Sequence, residues 1–355
     1  MGQTEGDALD PSEVLGPGRH LEQGRCSGDG FGLFPHSWFY LGLASAIAGK
    51  PVGFELPGRH FFVAYRTGAG EGSCVVLSGR CAHLGADLSR GSVRGNNLVC
   101  PLHGWEYGVD GRCIRVPAGD AIPGFARQIR YPVEQVAGHA FFFNRPAPRF
   151  PLPYFEGVQP GHLVAARAFD LMVETPWYLV GANGFDVQHF RRVHDRRLIG
   201  DPVVETPHPM ARRITARYRV DGRSARDFLT RKVAGPEVTL AVTVWCGNLI
   251  FVRAAFSRTS SYGMVCLRPL GPDRTLARIV IWVPGSSSRA ARLFVDPLDA
   301  WIRRFFIREF LRSDVEGGAG ILYRPDRLVA SDHVLRDYLE WLGRVHQESV
   351  ASDPV

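Results

Sequence analysis

The stretch CAHLGADLSRGSVRGNNLVCPLHGWEYG, residues 81–108, decides how the N-terminal part of this chain folds. It contains two pairs of metal-ligating side chains, Cys81 with His83 and Cys100 with His103. Each pair lies on a loop that also contains glycine, and a longer segment separates the two pairs. The sequence therefore predicts two loops that close on one metal centre from both sides, each supplying one thiolate and one imidazole.

Two kinds of metal centre use two cysteines and two histidines. A structural zinc site surrounds one tetrahedral ion, and its usual spacing places two cysteines close together, followed by two histidines. A [2Fe-2S] cluster can instead bind two thiolates through one iron and two imidazoles through the other. The mixed order on the two loops favours the cluster, and a zinc site is the alternative.

Composition limits the size of the protein and the nature of its partners. The chain has 355 residues and is 45% hydrophobic, which is long enough for two packed domains because single cores stop growing at about 250–300 residues. The formal net charge is +7, and the 42 basic residues include only two lysines, Lys50 and Lys232. Since the basic residues form no run of five or more, the charge does not favour a nucleic-acid partner.

Cysteine usage and apolar segments indicate the compartment. The seven cysteines are an odd number, and residues 1–10 are acidic without an apolar core, which argues against a secretory signal and a disulfide scaffold. The apolar segment 38–49 is shorter than the roughly 20 residues that a membrane-spanning helix needs. We therefore expect a cytoplasmic protein that binds no membrane, with the cysteines outside residues 81–108 buried as small apolar side chains.

The order of apolar runs and turns divides the chain. Residues 1–30 are polar and predict a mobile N-terminal arm. Residues 31–147 read as short strands separated by glycine-containing turns, which is typical of a small all-β domain. Residues 148–355 begin in a proline-rich connection and then alternate helical patterns with long strand-like runs, which predicts an α+β domain with an antiparallel sheet flanked by helices.

A second group of polar residues lies in NGFDVQHFRRVH, residues 183–194. On one helix, Asn183, Asp186 and His189 share a face at three-residue spacing. His194 lies about 140° further around an ideal helix, so both histidines reach one ion only if the helix ends or distorts between them. Two imidazoles and one carboxylate form the facial triad of non-haem Fe(II), which leaves positions open for dioxygen.

Together the two motifs resemble those of the Rieske non-haem iron oxygenases, specifically the terminal oxygenase α subunit of the α-only type. The resemblance extends over nearly the whole chain after the first 30 residues. It implies an N-terminal all-β Rieske [2Fe-2S] domain whose cluster is bound by Cys81, His83, Cys100 and His103. It also implies a catalytic domain in which His189 and His194 bind a mononuclear Fe(II).

The same resemblance takes the third iron ligand from the C-terminal helix, which we predict in WIRRFFIREFLRSDV. There Asp314 follows Phe306 and Phe310 on the apolar stripe, and a buried carboxylate requires a cation or strong hydrogen bonds. Weaker candidates for this ligand are Asp296, Asp299 and Glu316.

For Asp186 the resemblance implies a catalytic role as a bridge between subunits. It would hydrogen-bond an iron-binding histidine, His189 or His194, and a cluster-binding histidine of a neighbouring subunit, His103. Asn183 receives no role from the sequence.

The implied function is that of a terminal oxygenase component. It would use dioxygen to hydroxylate, N-oxygenate or demethylate an organic, partly apolar substrate. Because no G-x-G-x-x-G motif follows a strand, we expect electrons from a separate ferredoxin or flavin-dependent reductase, steered by Arg80, Arg90, Arg94 and Arg112 around the cluster loops. The resemblance implies a head-to-tail homotrimer. The alternative is a non-catalytic Rieske electron carrier with a degenerate second metal site.

Overall fold

A computed structural model describes residues 31–47, 49–68 and 72–351. The predicted mobile arm of residues 1–30 lies outside the described residues, and so does Cys26. Within the described residues, no helix is long and apolar enough to cross a bilayer.

The described residues of the N-terminal part form eleven short strands in three antiparallel sheets. In chain order the strands are β1 (Trp38–Leu43), β2 (Val52–Leu56), β3 (His60–Arg66), β4 (Cys74–Ser78), β5 (Ser92–Arg94), β6 (Asn97–Val99), β7 (Glu106–Tyr107), β8 (Cys113–Arg115), β9 (Arg130–Tyr131), β10 (Val133–Val136) and β11 (His139–Phe143). The sheets have the orders β1-β11-β10, β2-β3-β4-β9 and β5-β6-β7-β8. The last of these carries the two cysteine–histidine loops, one before β5 and one between β6 and β7.

The C-terminal part is dominated by one eight-stranded antiparallel sheet with the order β12-β19-β18-β17-β16-β15-β14, and β13 also pairs with β19. Its strands are β12 (Leu163–Ala165), β13 (Phe169–Val173), β14 (Arg196–His208), β15 (Ala211–Val220), β16 (Glu237–Trp245), β17 (Leu249–Phe256), β18 (Ser260–Gly271) and β19 (Arg274–Pro284). The α-helices are α1 (Trp177–Ala182), α2 (Val187–His194), α3 (Ala225–Val233), α4 (Arg289–Gly318) and α5 (His333–Ala351). The predicted α+β class, with an all-β N-terminal part and a helix-flanked antiparallel sheet, is confirmed.

The two parts share a hydrophobic core. Trp38, Phe141 and Phe143 of the first sheet are fully buried and belong to the same core cluster as the residues of β16–β19. Asn248, which is also buried, donates from its side-chain amide to the Trp38 carbonyl oxygen at 2.9 Å. The domain boundary predicted at residues 147 and 148 remains a prediction, but the packing ties β1 and β11 firmly to the large sheet.

Helix α4 determines where a cavity forms. It packs against β12, β13 and β19 at the edge of the large sheet and also contacts α2. The space between α4 and the face of the sheet is lined by both elements. The residues predicted to bind mononuclear iron lie on α2 and α4, at one end of this space.

Candidate metal centres and the cavity beside them

Two turns of the same construction place Cys81 and Cys100. In each turn the cysteine carbonyl oxygen accepts a hydrogen bond from the glycine four residues later, Gly85 at 2.8 Å and Gly104 at 3.1 Å. These glycines have φ of +71° and +68°, a backbone region that glycine adopts without the steric cost of a Cβ. The two loops therefore present their side chains to a shared space in the same way.

The four side chains are arranged with the thiols inside and the imidazoles outside. Cys81 and Cys100 are buried, whereas His83 and His103 are exposed. The Nδ1 atoms of the two histidines lie 3.2 Å apart, and the Trp105 ring stacks on His83 with a centroid separation of 4.6 Å. This arrangement fits a cluster with its thiolate-bound iron buried and its imidazole-bound iron at the surface.

The Cys81 thiol has two further neighbours that suit a cluster. Its Sγ atom lies 3.0 Å from the hydroxyl of Tyr107, which is fully buried, and its side chain is within hydrogen-bonding reach of Cys100. Burial raises the pKa of the Cys81 thiol, although the Tyr107 hydroxyl opposes this effect. A positive iron at this position would favour the thiolate.

The arginines predicted to steer a redox partner are largely paired. Arg90 lies near Asp87, Arg94 contacts Glu106, Arg112 contacts Asp110, and Arg80 lies over the ring of Phe61. Carboxylates lie beside three of these four arginines, and Glu106 is shared between Arg94 and Arg115, so the field around the cluster loops is weaker than the arginine count alone indicates.

The structure brings His189, His194 and Asp314 together. The His189 and His194 Nε2 atoms are 3.2 Å apart, and Oδ1 of Asp314 lies 2.8 Å from the first and 2.6 Å from the second. Three donors that bind one ion at right angles through bonds of roughly 2.1 Å lie about 3 Å from one another. The donor set and spacing therefore fit a facial triad on one metal ion.

Asp314 is held as a carboxylate in this cluster. Burial raises its pKa, but hydrogen bonds from His189 and His194 outweigh that effect, and the pKa is lowered overall. Phe310, one turn earlier on α4, stacks on His194 with a centroid separation of 3.6 Å. The Phe310 ring thus covers one side of the site formed by His189, His194 and Asp314.

The histidine-bearing segment differs from the predicted continuous helix. Asn183 lies in a 3-10 turn, and Asp186 has the extended values φ −86° and ψ 91°, so α2 starts anew at Val187. The predicted shared helical face of Asn183, Asp186 and His189 is therefore wrong. The chain breaks there because the Asp186 side chain caps α2, where its Oδ1 atom accepts from the His189 N–H at 3.0 Å.

The sequence led us to expect that the helix ends or distorts between the two histidines, and it does not end there. Helix α2 continues through His194 and ends there, where Asp195 adopts the left-handed conformation with φ +53°. Because His194 is the last helical residue, its ring turns toward α4 and meets His189 on the Asp314 carboxylate.

Sequence reasoning missed a buried ion pair behind His194. Arg196 donates from Nη1 to the His194 carbonyl oxygen at 2.7 Å and to Asp227 Oδ1 at 2.8 Å. Ser224 donates to the other oxygen of Asp227 at 2.5 Å and caps α3. The Ser-x-x-Asp spacing is a helix-start signal that could have located the Asp227 end of this pair.

The weaker candidates for the third ligand lie elsewhere. Asp296 accepts hydrogen bonds from the N–H and hydroxyl of Ser286, and Asp299 accepts from Arg303. Glu316 is exposed. None of the three lies with His189, His194 and Asp314, and Asp299, Asn183 and Asp186 line the adjacent cavity.

That cavity has a volume of about 740 Å³ and lies between α4 and the large sheet. Its walls are mainly apolar side chains from β13, β16–β19, α3 and α4, and Asp314 and His189 lie at its edge. A space of this size and polarity suits a small organic molecule.

The remaining described cysteines are free thiols. Cys113, Cys246 and Cys266 are buried, as predicted, while Cys74 is partly buried. Burial raises the pKa of Cys74 to about 11 and that of Cys246 to about 12, so these thiols stay protonated and unreactive near neutral pH.

Comparison with known proteins identifies the N-terminal domain. Residues 37–126 match the family described as the Rieske [2Fe-2S] domain. A probable 3-ketosteroid-9-alpha-monooxygenase oxygenase component of Rhodococcus rhodochrous is 36% identical over 115 residues, which are 32% of this chain and 28% of that protein. The corresponding oxygenase component of Mycobacterium tuberculosis is 35% identical over 126 residues, 34% of this chain and 32% of that protein. These alignments span about a third of the curated relatives.

The fold is similar over a larger part of the chain. The crystal structure of dicamba monooxygenase bound to dicamba superposes with a TM-score of 0.69 at 17% identity, covering 89% of this chain and 98% of that chain. The family match of residues 37–126 shows that the chain contains a Rieske [2Fe-2S] domain, which favours the [2Fe-2S] cluster over a zinc site. By domain content and fold, its resemblance to the Rieske non-haem iron oxygenases is confirmed.

Proposed function

We propose that this protein is a terminal oxygenase component that uses a Rieske cluster and a mononuclear Fe(II) site to oxidise an organic, partly apolar molecule with dioxygen. The observation that carries the proposal is the convergence of His189, His194 and Asp314 at the edge of an apolar cavity. A Rieske electron carrier needs neither such a cluster nor such a cavity, so this observation argues against the carrier alternative.

Named relatives support the same reaction class. Two of them are oxygenase components of 3-ketosteroid-9-alpha-monooxygenases. The structural relative is dicamba monooxygenase bound to dicamba. For this chain we therefore propose hydroxylation, N-oxygenation or demethylation of an organic substrate. Because these relatives are oxygenase components, they also support a separate ferredoxin or flavin-dependent reductase as the electron donor.

The chain's own residues divide the work between two sites. We propose that Cys81, His83, Cys100 and His103 hold the cluster, and that His189, His194 and Asp314 hold the iron. Bound there, the two centres would supply electrons and activate dioxygen for transfer of oxygen to carbon or nitrogen. One carboxylate and two imidazoles leave neighbouring ligand positions open, and the cavity provides space beside them for substrate.

Exposure of the cluster histidines supports electron transfer between protein chains. His83 and His103 lie at the surface beside Leu84 and Leu102, which are 68% and 57% exposed. An exposed apolar rim around a redox centre suits contact with another protein surface. We propose a head-to-tail homotrimer in which this surface faces the iron site of the next subunit, with Asp186 as the bridge between His189 or His194 and His103 of the partner subunit.

Metal analysis of anaerobically purified protein tests the proposal. We expect about three irons and two acid-labile sulfides per chain, together with substrate-dependent oxygen uptake when a ferredoxin and its reductase are added. Two irons and no oxygen uptake would support the electron carrier instead. One zinc without sulfide would contradict both functions.

A further inference from the structure

The cavity has a second polar end, which lies far from the iron-binding residues along α4. The residues of α4 that line the cavity are Asp299, Ile302, Arg303, Phe306, Ile307, Phe310, Leu311, Asp314 and Val315. Arg303 and Asp314 are separated by three helical turns plus about 20°, so they share a face of α4 at a separation of roughly 16 Å. Between them the cavity face of the helix is entirely apolar.

Arg303 is fixed by neighbours that leave one of its hydrogens free. Its Nε donates to Asp299 Oδ1 at 2.9 Å, its Nη1 donates to Ser260 O and Ser261 Oγ, both at 2.7 Å, and its Nη2 donates to Thr259 Oγ1 at 2.7 Å. A guanidinium has five N–H groups, so one hydrogen on Nη2 has no acceptor among these contacts.

Two hydroxyls at the same end also point to an acceptor on the ligand. The oxygens of Thr259 and Ser261 accept from Arg303, so their own hydrogens are available to donate to another group. Both residues line the cavity. The Arg303 charge is balanced by Asp299, and a neutral oxygen acceptor therefore suits this end better than a carboxylate, which would bring an unbalanced negative charge.

We propose that the substrate is an elongated, largely apolar molecule with a ketone or alcohol oxygen at one end, bound by Arg303, Thr259 and Ser261. Its reacting atom lies at the other end, beside His189 and Asp314. After allowance for a hydrogen bond and for the iron site, the separation between these two points is on the order of 10 Å. This assignment rests on the proposed function.

The sheet side of the cavity leaves room for such a molecule. Gly263 lines the cavity opposite α4, and a Cβ built on it would lie 3.5 Å from Ile281 Cδ1 and 3.8 Å from Val252 Cβ, both ordinary contacts. The backbone there tolerates a side chain, so Gly263→Val would narrow the apolar part without touching the polar end.

Three biphenyl probes of matched size test the assignment. They are 4-acetylbiphenyl, its hydrocarbon isostere 4-isopropenylbiphenyl, and biphenyl-4-carboxylate, and their binding is measured by equilibrium dialysis with the iron-loaded protein, without reductant. We expect the ketone to bind about tenfold more tightly than the hydrocarbon, and the carboxylate to bind more weakly than the ketone.

Variants separate recognition from structural damage. The double variant Thr259→Val with Ser261→Ala removes the two hydroxyl donors while leaving Arg303 in place, and it should lower the ketone-to-hydrocarbon affinity ratio without weakening hydrocarbon binding. Ser260→Ala is the matched control, because Ser260 contacts Arg303 only through its carbonyl oxygen. Gly263→Val should weaken ketone and hydrocarbon alike.

The outcomes that overturn the assignment are distinct from those that overturn the proposed function. Any of four results would refute the proposed binding of a ketone by Arg303, Thr259 and Ser261. They are equal affinity for ketone and hydrocarbon, tightest binding of the carboxylate, absence of saturable ketone binding, and an equal loss of affinity for both probes in the double variant. None of these measurements depends on turnover. Iron content and oxygen uptake test the oxygenase separately, so a failure there leaves a measured probe selectivity intact.

Discussion

The Oδ1 atom of Asp186 accepts a hydrogen bond from the backbone N–H of His189 at 3.0 Å. The residue proposed to bridge two subunits is therefore also the N-cap of the helix that carries both histidines of the iron site. A cap at this position satisfies one of the N–H groups that a helix start leaves unpaired. Substitution of Asp186 thus tests two roles at once unless the variants are chosen to separate them.

Asp186→Asn and Asp186→Ala provide that separation. Asparagine caps helices about as well as aspartate, whereas alanine costs about 1 kcal/mol. We expect Asp186→Asn to retain iron and normal stability but to lose turnover by orders of magnitude, because the amide lacks the charge and second acceptor oxygen of a bridge. Asp186→Ala should lose turnover and also reduce the free energy of unfolding.

The step that Asp186 would bridge is electron transfer from the cluster to the iron site. Rapid mixing of reduced protein with dioxygen and substrate measures it as the rate of cluster reoxidation. If Asp186→Asn reoxidises at the wild-type rate with its iron in place, Asp186 acts only as a helix cap and the bridge is refuted.

Independent ligand sets predict independent metal loss. His189→Ala should lose the mononuclear iron while keeping the visible spectrum of the cluster, since both cluster loops belong to the β5-β6-β7-β8 sheet and α2 is a helix of the C-terminal part. His83→Ala should do the reverse. Iron and sulfide analysis with absorption spectra checks both, and His333→Ala is a control because His333 is exposed at the start of α5. A normal Rieske spectrum in His83→Ala would show that the cluster ligands are assigned wrongly.

The buried pair behind His194 predicts a large loss of stability. Arg196 and Asp227 have side chains that are 10% and 4% exposed, and removal of one partner of a buried pair costs about 3 kcal/mol or more. Asp221→Ala breaks the exposed Arg197–Asp221 pair, with side chains 53% and 42% exposed, and should cost less than about 1 kcal/mol. Urea unfolding of Asp227→Ala and Asp221→Ala compares them, and equal losses would contradict the structural role of Asp227.

The same pair predicts the direction of a pH effect. Burial raises the pKa of Asp227, but hydrogen bonds from Ser224 and Arg196 outweigh it, so the pKa in the folded protein is lowered. A lowered folded pKa gives stability that is complete above the unfolded pKa of about 3.9 and is lost as pH falls through the folded value. The stability difference between wild type and Asp227→Ala should therefore be constant above about pH 5 and shrink below about pH 4. A difference that grows on acidification would contradict the sign.

The site was predictable from sequence where short spacings carry the chemistry. Cys81, His83, Cys100 and His103 lie on two short loops, so their local pattern pointed to a metal centre. Asp314 was instead assigned from the resemblance, which implies that the third iron ligand comes from the C-terminal helix. The break at Asp186 was not predicted, because an aspartate within a helical pattern can either face solvent or cap a new helix, and tertiary packing decides between them. The contact of Arg303 with Thr259 and Ser261 could not be predicted either, since Arg303 lies on α4 and these partners lie at the start of β18, more than forty residues away in the chain.

The glycines of the two cysteine turns predict unequal effects of the same substitution. Gly85 and Gly104 both have positive φ, so alanine costs roughly 1 kcal/mol in backbone strain at either position. A Cβ on Gly85 meets nothing within 4 Å, whereas one on Gly104 would lie 3.1 Å from Pro117 Cγ. Gly104→Ala must therefore displace either Pro117 or the loop that holds Cys100 and His103, and we expect it to release the cluster at a lower temperature than Gly85→Ala.

Loss of visible absorption on slow heating under anaerobic conditions measures this release. Gly95→Ala is the matched control, because Gly95 also has positive φ with open space around it but lies in the β5–β6 turn, away from the ligand loops. It should bear the backbone strain without altering the release temperature. If Gly104→Ala and Gly95→Ala release the cluster at the same temperature, contact with Pro117 does not constrain the second loop, and the strain at Gly104 is relieved without movement of Cys100 or His103.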